Sequence, residues 1–316
     1  MTTLIADEIS LLPSINQSYK TLFNSCLNKF LPFTFERFLR VCDRRSGQLI
    51  FFIFYYKERQ RLSKIIVRAF ENKQINIDPF HDFSYFQRRY ANCIRATNKF
   101  KMLLFHHSFL LDKYSENSNI KKLKSGITIW SNKIENNLIQ INLQLPEKTH
   151  QEGELLLVCS YNLITIFSMT FTICTGHHLS VPYETVLYVG GVQGEKNSKD
   201  KIRNFAKHNN EISPVALLVL ATQALRVVFK LDIIVGISLK HHIVYDKIQG
   251  VENNIKSYDH LWESCGGTII DNKFFILPIS TKELPITCKN RTRARRRRHR
   301  KYEIKNEMLT TLQALF

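Results

Sequence analysis

Seven arginines crowd into ten positions near the C-terminus: Arg291, Arg293, Arg295, Arg296, Arg297, Arg298 and Arg300. Guanidinium groups are planar forks that grip phosphates two bonds at a time, so this run suits a polyanion. The partner is either RNA, which arginine-rich segments bind as they fold, or an anionic lipid surface. A solvated or internally paired helix would use the same residues, and four consecutive arginines would ring such a helix with like charge. A second group is Gly190, Gly191, Gln193 and Gly194, where glycines would let backbone amides approach a phosphate or a cofactor. The spacing is neither G-x-G-x-x-G nor a Walker loop, and a plain turn or bulge explains it as well. A third is Ser238 with His241, His242 and Tyr245, a hydroxyl and imidazole set of the kind that makes a nucleophile and its base. Adjacent histidines point in different directions, however, and only Asp246 stands near as an acidic orienter. The pairs His106-His107 and His177-His178 lack ligand spacing with cysteine or carboxylate partners, so no metal is expected.

The elements that position these groups follow from periodicity. Residues 1–115 read as a mainly helical region, with apolar residues at three- and four-residue steps such as Leu22, Phe23, Cys26 and Phe30, and breaks at Pro32 and Pro79. Ser84 to Tyr114 suits a helical layer packed on something else. The polar stretch Ser115 to Ser125 is the candidate boundary before a second region, residues 126–316. There the period changes to two: Ile139, Ile141, Leu143 and Leu145 face one way, and Gln140, Asn142 and Gln144 the other. Leu155 to Cys174 is free of charge and long enough to span a bilayer, but Ser160, Tyr161 and Asn162 interrupt it, and its Ile, Thr, Val and Phe content favours two paired strands. Val186 to Val189 reads as a strand, Ser213-Pro214 as the start of a buried helix reaching Lys230, Leu231 to Ser238 as a strand, Tyr258 to Cys265 as a short helix and Phe274 to Pro278 as a strand. The expected class is α+β: a helical N-terminal region packed on a mixed, largely antiparallel sheet with helices.

Composition bounds the rest. Lysine and arginine number 45 against 27 acidic residues, a net charge of +18, half of it carried between Lys289 and Lys301. Such a field attracts polyanions in general. Seven cysteines without a C-x-x-C pair argue for free thiols in a reducing compartment, and the first ten residues lack the pattern of a secretory signal. The expected location is cytoplasmic or peripheral to the inner membrane, with no transmembrane segment, and a periplasmic location would need an unrecognised route.

Several motifs, in order, resemble the VirK/YbjX family of bacterial proteins. They are Glu152-Gly153-Glu154-Leu155, Tyr188-Val189-Gly190-Gly191-Val192-Gln193-Gly194, Ile237-Ser238 with His241 or His242 and Tyr245, Tyr258-Asp259-His260-Leu261-Trp262-Glu263, Gly266-Gly267, Leu277-Pro278 and the arginine run. The family typically opens its long helix with a Gly-Leu-Arg-Pro-like stretch, whereas Glu211-Ile212-Ser213 precedes Pro214 here, which removes a cation. The resemblance implies a virulence-associated accessory protein of enteric bacteria that supports production or display of surface virulence proteins and envelope properties. Separately, the order of strands, helix, strand, helix resembles the acyl-CoA-dependent N-acetyltransferase fold. That resemblance implies acyl-CoA as ligand, Gln193 and Gly194 in its pyrophosphate loop and Tyr258 as general acid, although the Q/R-x-x-G-x-G/A spacing is absent. The residues alone call for no cofactor, and one helical turn between Tyr258 and Trp262 also fits two core side chains. An RNA-binding factor acting through the arginines is the third reading.

Overall fold

The computed structural model describes residues 89–114, 122–146, 152–245, 252–278 and 291–316, which all belong to the compact unit Glu58–Phe316. Their order is α1 (Ala96–Tyr114), β1 (Ile127–Ile134), β2 (Asn137–Gln144), β3 (Leu155–Tyr161), β4 (Ile164–Thr175), β5 (Thr185–Gly194), α2 (Lys199–His208), α3 (Pro214–Val228), β6 (Ile233–Ile237), α4 (Glu252–Ser264), β7 (Thr268–Ile270), β8 (Phe274–Leu277) and α5 (Arg291–Leu315). The strands form one sheet in the order β1-β2-β3-β4-β5-β6-β8-β7. All neighbours are antiparallel except β5 and β6, which run parallel.

The α+β class read from the sequence is therefore the class the chain adopts. An antiparallel meander leads through a helical crossover into one parallel pair and a closing hairpin, the element order behind the N-acetyltransferase likeness. The expectation of a mainly helical region over residues 1–115 lies outside the described residues apart from α1. The uncharged run from Leu155 to Cys174 is the hairpin β3–β4, and among the described residues no helix is long and apolar enough to cross a membrane.

Alternation along the central strands feeds two cores. Leu187 and Val189 of β5 point to one face, where they meet α3, Trp262 of α4 and Ile304, Met308 and Leu312 of α5. Val186 and Tyr188 point to the other, where Tyr90, Ala91, Ile94 and Met102 cover them. Helix α3 starts where the sequence asks it to, with Ser213 Oγ accepting from the Ala216 amide at 3.3 Å and Pro214 in the first turn. It is apolar nearly all round because the sheet lies on one side and α5 on the other. In α5 the residues Ile304, Met308 and Leu312 recur at four-residue steps and are fully buried, whereas the arginine half precedes the part that packs.

The glycine run is not a turn after a strand. β5 continues through Gly190, Gly191, Val192 and Gln193 to Gly194, paired with β4 throughout, and the ladder skips Gly190 to form a bulge. The β3–β4 turn likewise falls one residue later than the sequence suggests, on Asn162 and Leu163, both left-handed with φ of 52° and 66°.

Candidate functional site

The parallel pair is short. Its rungs run from Val186–Ile233 to Val189–Gly236, after which β5 goes on alongside β4 while β6 turns away with β8. Past Val189, the edge of β5 that faced β6 has no strand partner among the described residues. The bulge lies beside this parting. A Cβ on Gly190 would stand 1.9 Å from the Glu152 carbonyl oxygen, so only glycine allows the segment Glu152-Gly153-Glu154 to cross over β5 there.

Tyr258 of α4 stands at the parting and packs against both cores, one on each face of the sheet. Its ring lies edge-on to Trp262 at 6.0 Å and to His242 at 5.4 Å. Trp262 anchors the helix: its indole lies on Gly236 and its Nε1 donates to the Ile237 carbonyl at 2.9 Å. The Tyr258 hydroxyl is buried and makes no aligned hydrogen bond among the described residues, although the Val192 backbone lies near it. Burial first, then the negative charges of Glu152 and Asp259, push its pKa far above the ordinary value. A phenol so placed keeps its proton at neutral pH.

A buried ion cluster supports the Glu152-Gly153-Glu154 crossing. The Glu154 amide donates to the Phe171 carbonyl at 3.0 Å and to Thr172 Oγ1 at 3.2 Å. Its carboxylate accepts from the Tyr90 hydroxyl and pairs with Arg89 Nη2 at 3.0 Å, while His107 Nε2 stands 3.8 Å away. Burial alone would raise the Glu154 pKa, but Arg89 and His107 outweigh it and hold the group at about 2, so it is ionised. His106, fully buried, accepts from the Ile173 amide at 3.1 Å, and burial together with the neighbouring His107 lowers its pKa to about 3. The segment that supplies Arg89 and Tyr90 then reaches the loop after β6: the Asn92 amide donates to the His241 carbonyl at 2.9 Å, and its side chain to the His242 carbonyl at 3.0 Å. The cluster thus ties the β4–β5 bulge to the far side of the parting.

The other residues singled out in the sequence divide. Gly190, Gly191, Gln193 and Gly194 border the parting along β5, and Ser238 and His241 follow the end of β6. The hydroxyl of Ser238 is turned to the Asn272 carbonyl at 3.4 Å, and no hydrogen bond joins it to a histidine ring. Burial first, then Lys240 and Lys273, lower the His241 pKa. In α5, Arg293 pairs with Glu211, and Arg300 with Glu303 at 3.2 Å and Glu307 at 3.1 Å, whereas Arg295, Arg296 and Arg297 are exposed and Arg298 is half-buried. Glu211, the acidic residue ahead of α3, is thereby met by a cation from α5. The side chain of Arg291 and the whole of Asp246 lie outside the described residues. Sequence reasoning missed Arg89, Tyr90, His106 and His107 as a group, since nothing in their spacing points to Glu154.

No curated protein and no solved structure matches the chain. A family model does, across residues 49–314, and the span takes in every element from α1 to β8 and nearly all of α5. On that match the chain belongs to the DUF535 family, described as proteins of unknown function, the family that includes the VirK/YbjX proteins.

Proposed function

We propose that this chain is an acyltransferase-like enzyme that takes an acyl-CoA thioester at the parting of β5 and β6. The observation that carries the reading is the buried, proton-bearing hydroxyl of Tyr258, which lacks an aligned partner and stands where the two parallel strands separate. The edge of β5 past Val189, which no described strand pairs, suits the amide-bearing arm of coenzyme A, in the way a sheet edge takes an added strand. An acceptor nucleophile attacks the thioester carbonyl and the carbon–sulfur bond breaks. Tyr258 passes its proton to the departing sulfur, and Glu152, whose charge Tyr258 feels, takes the proton the acceptor loses. Gln193 and Gly194 lie along the route of the phosphate-bearing end. The activity serves the role that the VirK/YbjX resemblance implies, support for surface virulence proteins and envelope properties.

Calorimetry with acetyl-CoA and a long-chain acyl-CoA tests the reading. Binding should be abolished by Gly191→Val, whose side chain would be forced against Thr170 and Glu152 beside the bulge, while Tyr258→Phe should bind normally and release free thiol at least about a hundredfold more slowly, the usual worth of a positioned general acid. An absence of binding by either thioester overturns it. A deletion strain with unchanged surface-protein level and peptide sensitivity would remove the envelope role without touching the enzymatic one.

A further inference from the structure

One end of the sheet gathers features that acyl transfer does not use. β5 finishes at Gly194 opposite Phe167, and the turn of the β3–β4 hairpin lies just beyond, at Asn162 and Leu163. The β1–β2 turn is beside it, since Ile139 of β2 pairs with Tyr161 of β3. Leu163 is 76% exposed and Ile164 48% exposed, and Leu163 holds a left-handed backbone that a branched apolar side chain adopts at a cost. Asn or Gly is the usual occupant of such a turn position. The tip is tied to the β1–β2 turn: Asn162 accepts from the Leu138 amide at 2.8 Å and donates to Asn137 Oδ1 at 3.1 Å.

Helix α2 lies against the same end. Phe205 packs edge-on to Tyr161 at 6.0 Å, and His208 Nδ1 sits 3.1 Å from the Tyr161 hydroxyl. Phe205 is the buried residue of α2, and the helix exposes Lys199, Lys201, Arg203 and Lys207, with Asp200 lying 3.8 Å from Arg203 as its acidic residue. Lys196, also exposed, adds to them. The parting of β5 and β6 opens toward the same end.

We infer that this end docks on an anionic lipid bilayer, with Leu163 and Ile164 entering the apolar boundary and the cations of α2 resting on the headgroups. A raised aliphatic tip beside a lysine-rich helix face is the pairing that interfacial binding requires. A nucleic-acid strand calls instead for cations with exposed stacking aromatics, whereas the exposed residues of the turn are Asn162, Leu163 and Ile164 and the neighbouring Tyr161 is buried. Docked in this way, the protein presents the parting to acceptors held in the membrane surface.

The test uses the full chain carrying Leu163→Trp. The native tryptophans, Trp130 and Trp262, are 4% and 1% exposed and so insensitive to vesicles. Emission of the variant should shift to the blue with vesicles of phosphatidylcholine and phosphatidylglycerol, and not with phosphatidylcholine alone. Cosedimentation of the otherwise unaltered chain should weaken by about tenfold or more with Leu163→Asp, and as much with Lys199→Gln, Lys201→Gln and Lys207→Gln combined. No affinity for anionic vesicles, or affinity undiminished by Leu163→Asp, overturns the inference, as does a cation-dependent preference for RNA that Leu163→Asp leaves unchanged. Because Leu163 is remote from Tyr258 in the fold and exposed, acyl-CoA calorimetry on Leu163→Asp tells failure of docking apart from failure of acyl transfer.

Discussion

The indole of Trp262 lies so close on Gly236 that a Cβ at position 236 would stand 2.7 Å from Trp262 Cε2. Gly236 is the last β6 residue paired with β5, so the contact seats α4, and Tyr258 with it, where the parallel strands part. Gly236→Ala should push α4 away, costing about 1–3 kcal/mol in urea unfolding as overpacking does. Trp262 fluorescence should change, and binding at the parting should fall with it.

Removing one partner of the buried ion cluster should be severe. Glu154→Gln takes the carboxylate from beside Arg89 in a buried site, and the loss should be about 3–5 kcal/mol by urea denaturation. Glu154→Gln combined with Arg89→Met should recover much of that loss. A double variant as unstable as the single would show that Arg89 is balanced by other groups.

Acid should weaken the fold over two pH ranges. His106 and His242 have pKa values lowered to about 3 and about 4, chiefly by burial, so the fold prefers them neutral. Their contribution is complete above about 6.5, the unfolded value, and is lost as pH falls toward the folded values. Glu154 is lowered to about 2 from 4.5, so its contribution is in place above 4.5 and disappears as pH falls through about 2. The urea midpoint should begin to fall below about pH 6.5 and fall more steeply below 4.5. His106→Gln, which keeps an acceptor for the Ile173 amide, should flatten the upper part of the curve.

The Arg293–Glu211 pair should matter little to stability. Its side chains are 69% and 39% exposed, and Arg293→Gln should change unfolding by no more than ~1 kcal/mol. Ser213→Ala, two residues further on, should cost about 1 kcal/mol through loss of the bond to the Ala216 amide.

Much of the sheet was legible because its burial is one-sided or complete. Alternation marked β2, the uncharged run marked β3 and β4, and Ser213-Pro214 marked the start of α3. β1 escaped because a bulge between Thr128 and Trp130 breaks its period. α2 escaped because one buried residue, Phe205, stands among lysines and asparagines that read as loop. β5 was cut short at Val189, since glycines signal turns unless a neighbouring segment needs the space they leave, and the neighbour here is Glu152. Tyr258 was singled out through fold likeness alone, and the nearness of the Glu152 charge to it was not legible. The Arg89, Tyr90, His107 and Glu154 cluster could not be read, since 64 residues separate Tyr90 from Glu154 and only tertiary packing joins them.

Four backbone rungs between Val186–Val189 and Ile233–Gly236 join the two halves of the sheet. The strands from β1 to β5 each pair with the next in sequence, whereas this junction waits for the chain from Gly194 to Ile233 to wind through two helices. Local pairing is fast and distant parallel pairing slow, so the junction closes late in folding. In native-state hydrogen exchange the amides of β6 should then become labile at lower free energy than those of β3 and β4, making this seam the first part of the sheet to open.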